Sequence, residues 1–208
     1  MKHLFIINPA AGSRDRTEAY KKKIREAFQG SEEEYRVEVS KAPGDCCRLA
    51  REAAESGEEY RIYACGGDGT LLEVANGVLG APHAELACIP CGSGNDFVRT
   101  MPCSDRFRNV AAQVAGAARP IDAIRCNDQL SVNLCSMGMD AEVCAMQGKI
   151  KKLPLVTGEG AYYIGCLYAI ARKFNNKFTI TIDDNEVLSN YYLFCFCGNP
   201  RWYGGGFK

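Results

Sequence analysis

Histidine is nearly missing from this chain: His3 and His83 are the two in 208 residues. A pair of isolated histidines leaves neither a His-rich metal site nor a Ser-His-Asp triad with support. Charge of one sign is also missing, because 25 Lys+Arg balance 25 Asp+Glu. Nucleic-acid-binding domains carry a basic excess, so no nucleic-acid partner is expected. No apolar run reaches the ~20 residues of a bilayer-crossing helix; the longest, Ala161 to Ala171, is far shorter. No signal-peptide pattern precedes the strand-like Leu4-Phe5-Ile6-Ile7, and a cytoplasmic location is expected. Repeats and low-complexity segments are absent as well. The composition, 47% hydrophobic and 24% charged, excludes a disordered, collagen-like or coiled-coil chain. The length fits one large domain or two small ones.

Cysteine, by contrast, is abundant, with twelve. Without a signal peptide these do not read as a disulfide scaffold. Cys65, Cys88, Cys126, Cys195 and Cys197 lie inside apolar runs and are expected to be small buried hydrophobes. Cys88 and Cys91 form one C-x-x-C, but a structural zinc site needs a second ligand pair at comparable spacing. A strand end followed by a loop is the simpler reading.

Apolar runs and helical stripes alternate over the first 120 residues. Strands are expected at Leu4–Ile7, Tyr35–Val39, Ile62–Cys65 and Leu86–Ile89. Between them, Tyr20, Ile24, Ala27 and Phe28 mark one helix over Thr17–Gln29. Cys46, Leu49, Ala50 and Ala53 mark a second, which Asp45 could cap. Leu71, Val74, Ala75 and Val78 mark a third, and Phe107, Val110, Ala111 and Val114 a fourth. This alternation predicts a Rossmann-like α/β domain with a mainly parallel sheet. From residue 121 the pattern becomes strand–turn–strand. Ile121–Cys126 and Leu130–Ser136 flank Asn127-Asp128, and Phe178–Ile182 and Val187–Cys197 flank Asp183–Glu186. A helix is expected at Glu159–Lys173. The boundaries expected are 1–120 for the α/β domain and 121–208 for an antiparallel β domain.

Glycine gathers in loops between a strand and the next helix. Asn8-Pro9-Ala10-Ala11-Gly12, Ser40 to Asp45, Gly66-Gly67-Asp68-Gly69-Thr70 and Gly92-Ser93-Gly94-Asn95-Asp96 all occupy that position. In a parallel sheet such loops share the carboxyl edge, where ligands bind. Glycine lets backbone N–H groups approach a phosphate, and the next helix presents its positive end. Asp68 among three glycines suits a carboxylate that holds a magnesium ion or orients a nucleophile; the plainer role is a cap for the helix near Thr70. A P-loop signature is absent, and Gly92-Ser93-Gly94 lacks the third glycine of a dinucleotide fingerprint.

Taken in order, these segments resemble the soluble diacylglycerol-kinase-type lipid kinases, a family that includes sphingosine kinases and bacterial lipid kinases. The matching residues are Asn8-Pro9 with Gly12, Gly66–Thr70, Pro90-Cys91-Gly92-Ser93-Gly94-Asn95-Asp96-Phe97, and Asn133 with Gly138, Asp140 and Ala141. Gly198-Asn199 and Gly204-Gly205-Gly206 follow in the same order. The resemblance implies an ATP-binding α/β domain followed by a β-sandwich with a lipid cleft, here incomplete. It implies that Asn8, Pro9, Ala10, Ala11, Gly12, Ser40, Gly66, Gly67, Asp68, Gly69, Thr70, Leu71, Leu72 and Ser93 contact ATP. Asp68 is then the catalytic carboxylate for direct transfer of the γ-phosphate to a lipid hydroxyl such as that of diacylglycerol.

The family's glycine triplet precedes an acidic D-G segment that carries structural magnesium ligands and the usual general base. This chain stops two residues after Gly206, so low activity of the 208 residues alone is expected. An inactive ATP-binding module is the alternative from another class. An NAD kinase is a further one, disfavoured because Gly92–Phe97 stands where its N-E pair belongs. Lys149, Lys151 and Lys152 beside Ile150, Leu153 and Leu155 could touch an anionic membrane face, although a solvated linker is favoured. Lys21-Lys22-Lys23 reads as a polar helix face. Tyr162, Tyr163, Ile164, Leu167 and Tyr168 read as core, or as the wall of a lipid cleft.

Overall fold

The computed structural model describes residues 1–150, 176–199 and 201–202. Four strands, β1 (Lys2–Ile7), β2 (Tyr35–Val39), β3 (Tyr60–Gly66) and β4 (Ala84–Pro90), form one sheet in the order β2-β1-β3-β4. All its pairings are parallel. The helices between them are α1 (Thr17–Ala27), α2 (Asp45–Ala54) and α3 (Asp68–Gly77).

The run Leu4-Phe5-Ile6-Ile7 explains why β1 lies at the centre. Its side chains alternate between the two faces of the sheet, and all four are essentially inaccessible. Leu4 and Ile6 join α2 and α3 on one face, with Leu49, Leu71 and Val74. Phe5 and Ile7 join α1 on the other, with Tyr20, Ile24 and Phe28. At about 1.5–3 kcal/mol per buried large side chain, this strand outweighs the half-exposed edge strand β2. Phe5 stacks on Tyr63 of β3 at 4.0 Å between ring centroids, and the Tyr63 hydroxyl lies 2.8 Å from His3 Nδ1.

On α1, Lys21 pairs with Glu18 and Lys22 with Glu26, so the lysine run is a solvated face. The start of α2 differs from expectation. Gly44 is the N-cap at φ +85° and Asp45 is the first helical residue. The Asp45 carboxylate instead accepts the Lys41 N–H and the Arg48 guanidinium. Glycine takes the left-handed conformation without the Cβ penalty that aspartate would meet.

After β4 come the short helix α4 (Asp96–Thr100), a 3₁₀ turn over Ser104–Arg108 and α5 (Val110–Val114). The single helix expected through Phe107 and Val114 is thus divided. Asn109, in an extended conformation, ends the turn, and its side chain accepts the Ala112 N–H. Arg61 closes the other end of α5 by donating Nη1 to the carbonyls of Gln113, Val114 and Gly116 while Nε holds Glu85 at 2.6 Å. A cation at orphaned helix-end carbonyls is favourable.

The hairpin of β5 (Ile124–Cys126) and β6 (Gln129–Ser131) turns at Asn127, at φ +53°. Leu134–Ser136, expected to continue β6, belongs instead to β7 (Leu134–Gly138). The break falls where the Ser131 hydroxyl accepts the Asn133 N–H. Next are α6 (Met139–Ile150), β8 (Asn176–Ile182), β9 (Glu186–Tyr192) and β10 (Phe194–Gly198). β8 and β9 form the second expected hairpin, turning at Asp183 and Asp184, both at positive φ, but the strand expected over Val187–Cys197 is divided at Leu193 into β9 and β10. β10 pairs antiparallel with β7.

Contacts divide the chain into two compact units, Met1–Asn133 with Asn199–Lys208, and Leu134–Gly198. The β5–β6 hairpin, which follows the domain boundary expected at residue 120, packs on α3 in the first unit. Cys65 and Cys88 are buried as expected, but Cys126 and Cys197 are exposed and Cys195 is half-buried. Those three sit on two-stranded ribbons, which bury less than the layered sheet. The expected helix Glu159–Lys173 with its tyrosine face, Lys151 and Lys152, and the triplet Gly204–Gly206 lie outside the described residues. Among the described residues, no helix is long and apolar enough to cross a membrane.

Candidate functional site

From β1 the chain passes through α1 to β2 on one side, then through α2 to β3 on the other. The two helices pack on opposite faces. A switch point of this kind opens a crevice beyond the carboxyl ends of β1 and β3, the usual ligand position in such sheets. The strand hydrogen bonding continues into the loops, with Asn8 N–H on the Cys65 carbonyl, Ser40 N–H on that of Ile7 and Cys91 N–H on that of Gly66. The four glycine-bearing loops therefore leave the sheet at one level.

Each loop is shaped by a side chain or a missing one. Asn8 donates Nδ2 to the Thr70 hydroxyl at 3.0 Å and accepts the Ala10 N–H at 3.0 Å, tying the first loop to α3. Gly12, at φ +83°, lies where a Cβ would stand 2.5 Å from the Cys91 carbonyl oxygen. A Cβ on Gly66 would collide with the Thr70 side chain. Gly67 and Gly92 meet backbone to backbone: a Cβ on the first would lie 3.1 Å from the Cα of the second, and the converse distance is 2.5 Å. Asn95, in the left-handed conformation, pairs its amide with both the N–H and the carbonyl of Gly92.

Asp68 is not the cap of its own helix. It is the first residue of α3, and the N-cap is Gly67, in an extended conformation. Its Oδ1 accepts the Phe97 N–H in α4 and the Asn133 Nδ2, each at 3.3 Å. Its Oδ2 faces Gly94, 3.0 Å from where a Cβ would be. Both Asp96 carboxylate oxygens lie 3.7 Å from that same point. Both carboxylates thus come close to Gly94, where any side chain would meet them. One or two carboxylates completed by substrate phosphates is the usual protein share of a magnesium site.

The other residues singled out in the sequence fall into three settings. Ala10, Gly12, Gly69, Leu72 and Ser93 are exposed, while Asn8, Pro9, Ala11, Gly67 and Asp68 are half-buried. Thr70 and Ser40 are buried. The Leu71 side chain lies in the core, so the site receives only its backbone. The Asn133 amide on Asp68 is a contact that motif reading did not supply. Cys88 and Cys91 are free and buried, and burial pushes the Cys88 thiol up to about 12 and raises that of Cys91. Thiols held protonated in this way are unreactive. Among the described residues, no three of His, Cys, Asp and Glu converge on a metal position.

Residues 2–126 match the diacylglycerol kinase catalytic domain family. A diacylglycerol kinase of Bacillus subtilis (strain 168) is 34% identical over 167 residues, covering 76% of this chain and 52% of that protein. A diacylglycerol kinase of Staphylococcus epidermidis (strain ATCC 12228 / FDA PCI 1200) is 30% identical over 194 residues, covering 91% and 59%. The crystal structure of a diacylglycerol kinase from Bacillus anthracis str. Sterne superposes with a TM-score of 0.68 at 28% identity, covering 100% of this chain and 67% of that one. The chain spans about half the length of the curated relatives it matches.

Proposed function

Because the chain belongs to the diacylglycerol kinase catalytic domain family, we propose that it acts in an ATP-dependent lipid kinase, moving the γ-phosphate of ATP to a lipid hydroxyl such as that of diacylglycerol. The observation that carries this reading is the meeting of Gly67 with Gly92 beside Asp68. Two loops free of side chains at their contact leave the approach to the N-terminus of α3 open, and the first N–H groups of a helix have no partner within it. Phosphates are held by such donors. Asn8 and Gly12 complete the wall on the β1 side.

Transfer of a phosphoryl group depends on positioning and on offsetting charge. Asp68 supplies a carboxylate whose Oδ1 is already held by two donors, leaving Oδ2 to orient or deprotonate the acceptor hydroxyl. With Asp68 Oδ2 in that role, Asp96 beside Gly94 is the carboxylate that would help to hold magnesium, which there would offset phosphate charge.

Calorimetric titration with Mg-ATP should give saturable binding, and Gly67→Val should weaken it by more than about tenfold, since the valine side chain must displace the Gly92 backbone. In a chain extended past Lys208 by a relative's acidic segment, labelled phosphate should pass from ATP to diacylglycerol in mixed micelles. Equal ATP affinity in Gly67→Val would remove the cradle, and ATP binding by the extended chain without transfer to any lipid hydroxyl would remove the kinase assignment.

A further inference from the structure

The side-chain amide of Asn133 is turned toward Asp68. Its Nδ2 donates to Asp68, but its own Oδ1 is buried and finds no partner among the described residues. Turning the amide over would not help, because Oδ1 would then face a carboxylate. The orientation that leaves a group unsatisfied is therefore the one that serves Asp68.

A second asparagine fixes where Asn133 stands. On α3, Asn76 donates Nδ2 to the Leu130 carbonyl and accepts the Leu130 N–H at Oδ1, both at 2.8 Å. Its amide thus pairs with Leu130 as a neighbouring strand would. Asn76 also donates to the Leu72 carbonyl within its own helix. It lies roughly 12 Å along the helix axis from Asp68, by the usual rise per residue. The segment Leu130–Asn133 consequently runs back along α3, from Asn76 to the first residue of the helix. Val132 anchors it in the core, and the Ser131 hydroxyl accepts the Asn133 N–H.

We propose that Asn133 is a positioning residue for Asp68, set in place by the clasp between Asn76 and Leu130. It fixes the rotation of the carboxylate so that Oδ2 is turned to the loop at Gly94. The inference rests on the kinase reading, in which Asp68 acts on the acceptor hydroxyl.

The test compares Asn133→Leu, Asn133→Asp and Asn76→Ala with the wild-type sequence, all in the chain extended past Lys208 by a relative's acidic segment. Three quantities are read: kcat and KM for Mg-ATP in transfer to diacylglycerol, the thermal midpoint, and the carbon-13 signal of the Asp68 carboxylate. Asn133→Leu should lower kcat about tenfold or more while KM changes less than about twofold, the pattern of a lost orientation effect. Its thermal midpoint should hold, since leucine fills the same partly buried space without a polar group. Asn133→Asp is isosteric but has no N–H to donate, so it should lose at least as much kcat. Asn76→Ala should lose less, and the Asn76→Ala/Asn133→Leu pair should be no slower than Asn133→Leu alone. A purely structural role predicts the reverse for Asn133→Leu, a lower midpoint with kcat preserved, and that result would overturn the inference. Absence of transfer by the wild type would overturn the kinase reading. The Asp68 signal would then decide this proposal by itself: a shift in Asn133→Leu upholds the positioning contact, and an unmoved signal ends it.

Discussion

At the scale of single residues, Asp68 is open to a test that separates charge from shape. Asn keeps the size of the side chain and an oxygen for the Phe97 N–H. Asp68→Asn should therefore cost about 1 kcal/mol in stability, the difference between a charged and a neutral acceptor. Turnover should fall by roughly two orders of magnitude or more, the scale of a lost acid–base or electrostatic group. Near-native turnover in a micelle assay would reduce Asp68 to a tie between α3 and α4. His3 is a second residue with a measurable signature. Burial pushes it below its ordinary value of 6.5, against the pull of Glu33. The folded state thus binds this proton less readily than the unfolded chain. The stability that this provides is full above 6.5 and is lost as pH falls from there toward the depressed folded value. Urea midpoints should be lower at about pH 5.5 than at about pH 7.5, and His3→Gln should flatten the difference.

At the scale of elements, α2 and α3 meet at a point where one of them has no side chain. A Cβ on Gly77 would stand 2.5 Å from Ala50 Cβ and 2.6 Å from the Cys47 carbonyl oxygen. Helix propensity alone makes Gly77→Ala favourable by about 1 kcal/mol, while overpacking costs about 1–3 kcal/mol. We expect a net loss in denaturant melts, recovered only in part by adding Ala50→Gly, because the Cys47 carbonyl remains. The elements themselves were legible where local pattern decides them. The strands β1 and β3 contain the apolar runs Leu4–Ile7 and Ile62–Cys65, and α1 and α2 carry their stripes at the expected positions. Illegible were the five-residue α4, too short to show a period, and the break at Asn109, which a side-chain cap imposes on an unbroken apolar stripe. Leu134–Ser136 was read with the wrong partner, because pairing with β10 joins strands about sixty residues apart in the chain.

At the scale of the whole molecule, burial is unequal between the two units. Met137, Val187, Tyr191, Leu193 and Phe196 are each at least half exposed, and all belong to Leu134–Gly198. A two-stranded hairpin has little independent stability, whereas β1 and β3 lie inside a sheet with helices on both faces. Hydrogen exchange followed by mass spectrometry should find the slowest amides in β1 and β3, and the β8–β9 hairpin should exchange faster than any strand of the parallel sheet. Comparable protection in the hairpin would show that it is covered in solution. The site divides in the same way as the elements did. Its glycine loops were legible because each lies between a strand and a helix. The donors to Asp68 were not, since Phe97 and Asn133 are 29 and 65 residues away and only folding brings them together.

The contact between Gly67 and Gly92 has a bearing on how this sequence can drift. Tight packing between two side chains leaves mutational freedom, because one can grow while the other shrinks. Here each hypothetical Cβ meets the partner's Cα, at 3.1 Å in one direction and 2.5 Å in the other. A Cα cannot be trimmed, so neither position has a compensating substitution at the other. The pair is epistatic without an escape route. Randomising both codons together and selecting for nucleotide binding should return glycine at both, with no reciprocal solutions among the survivors.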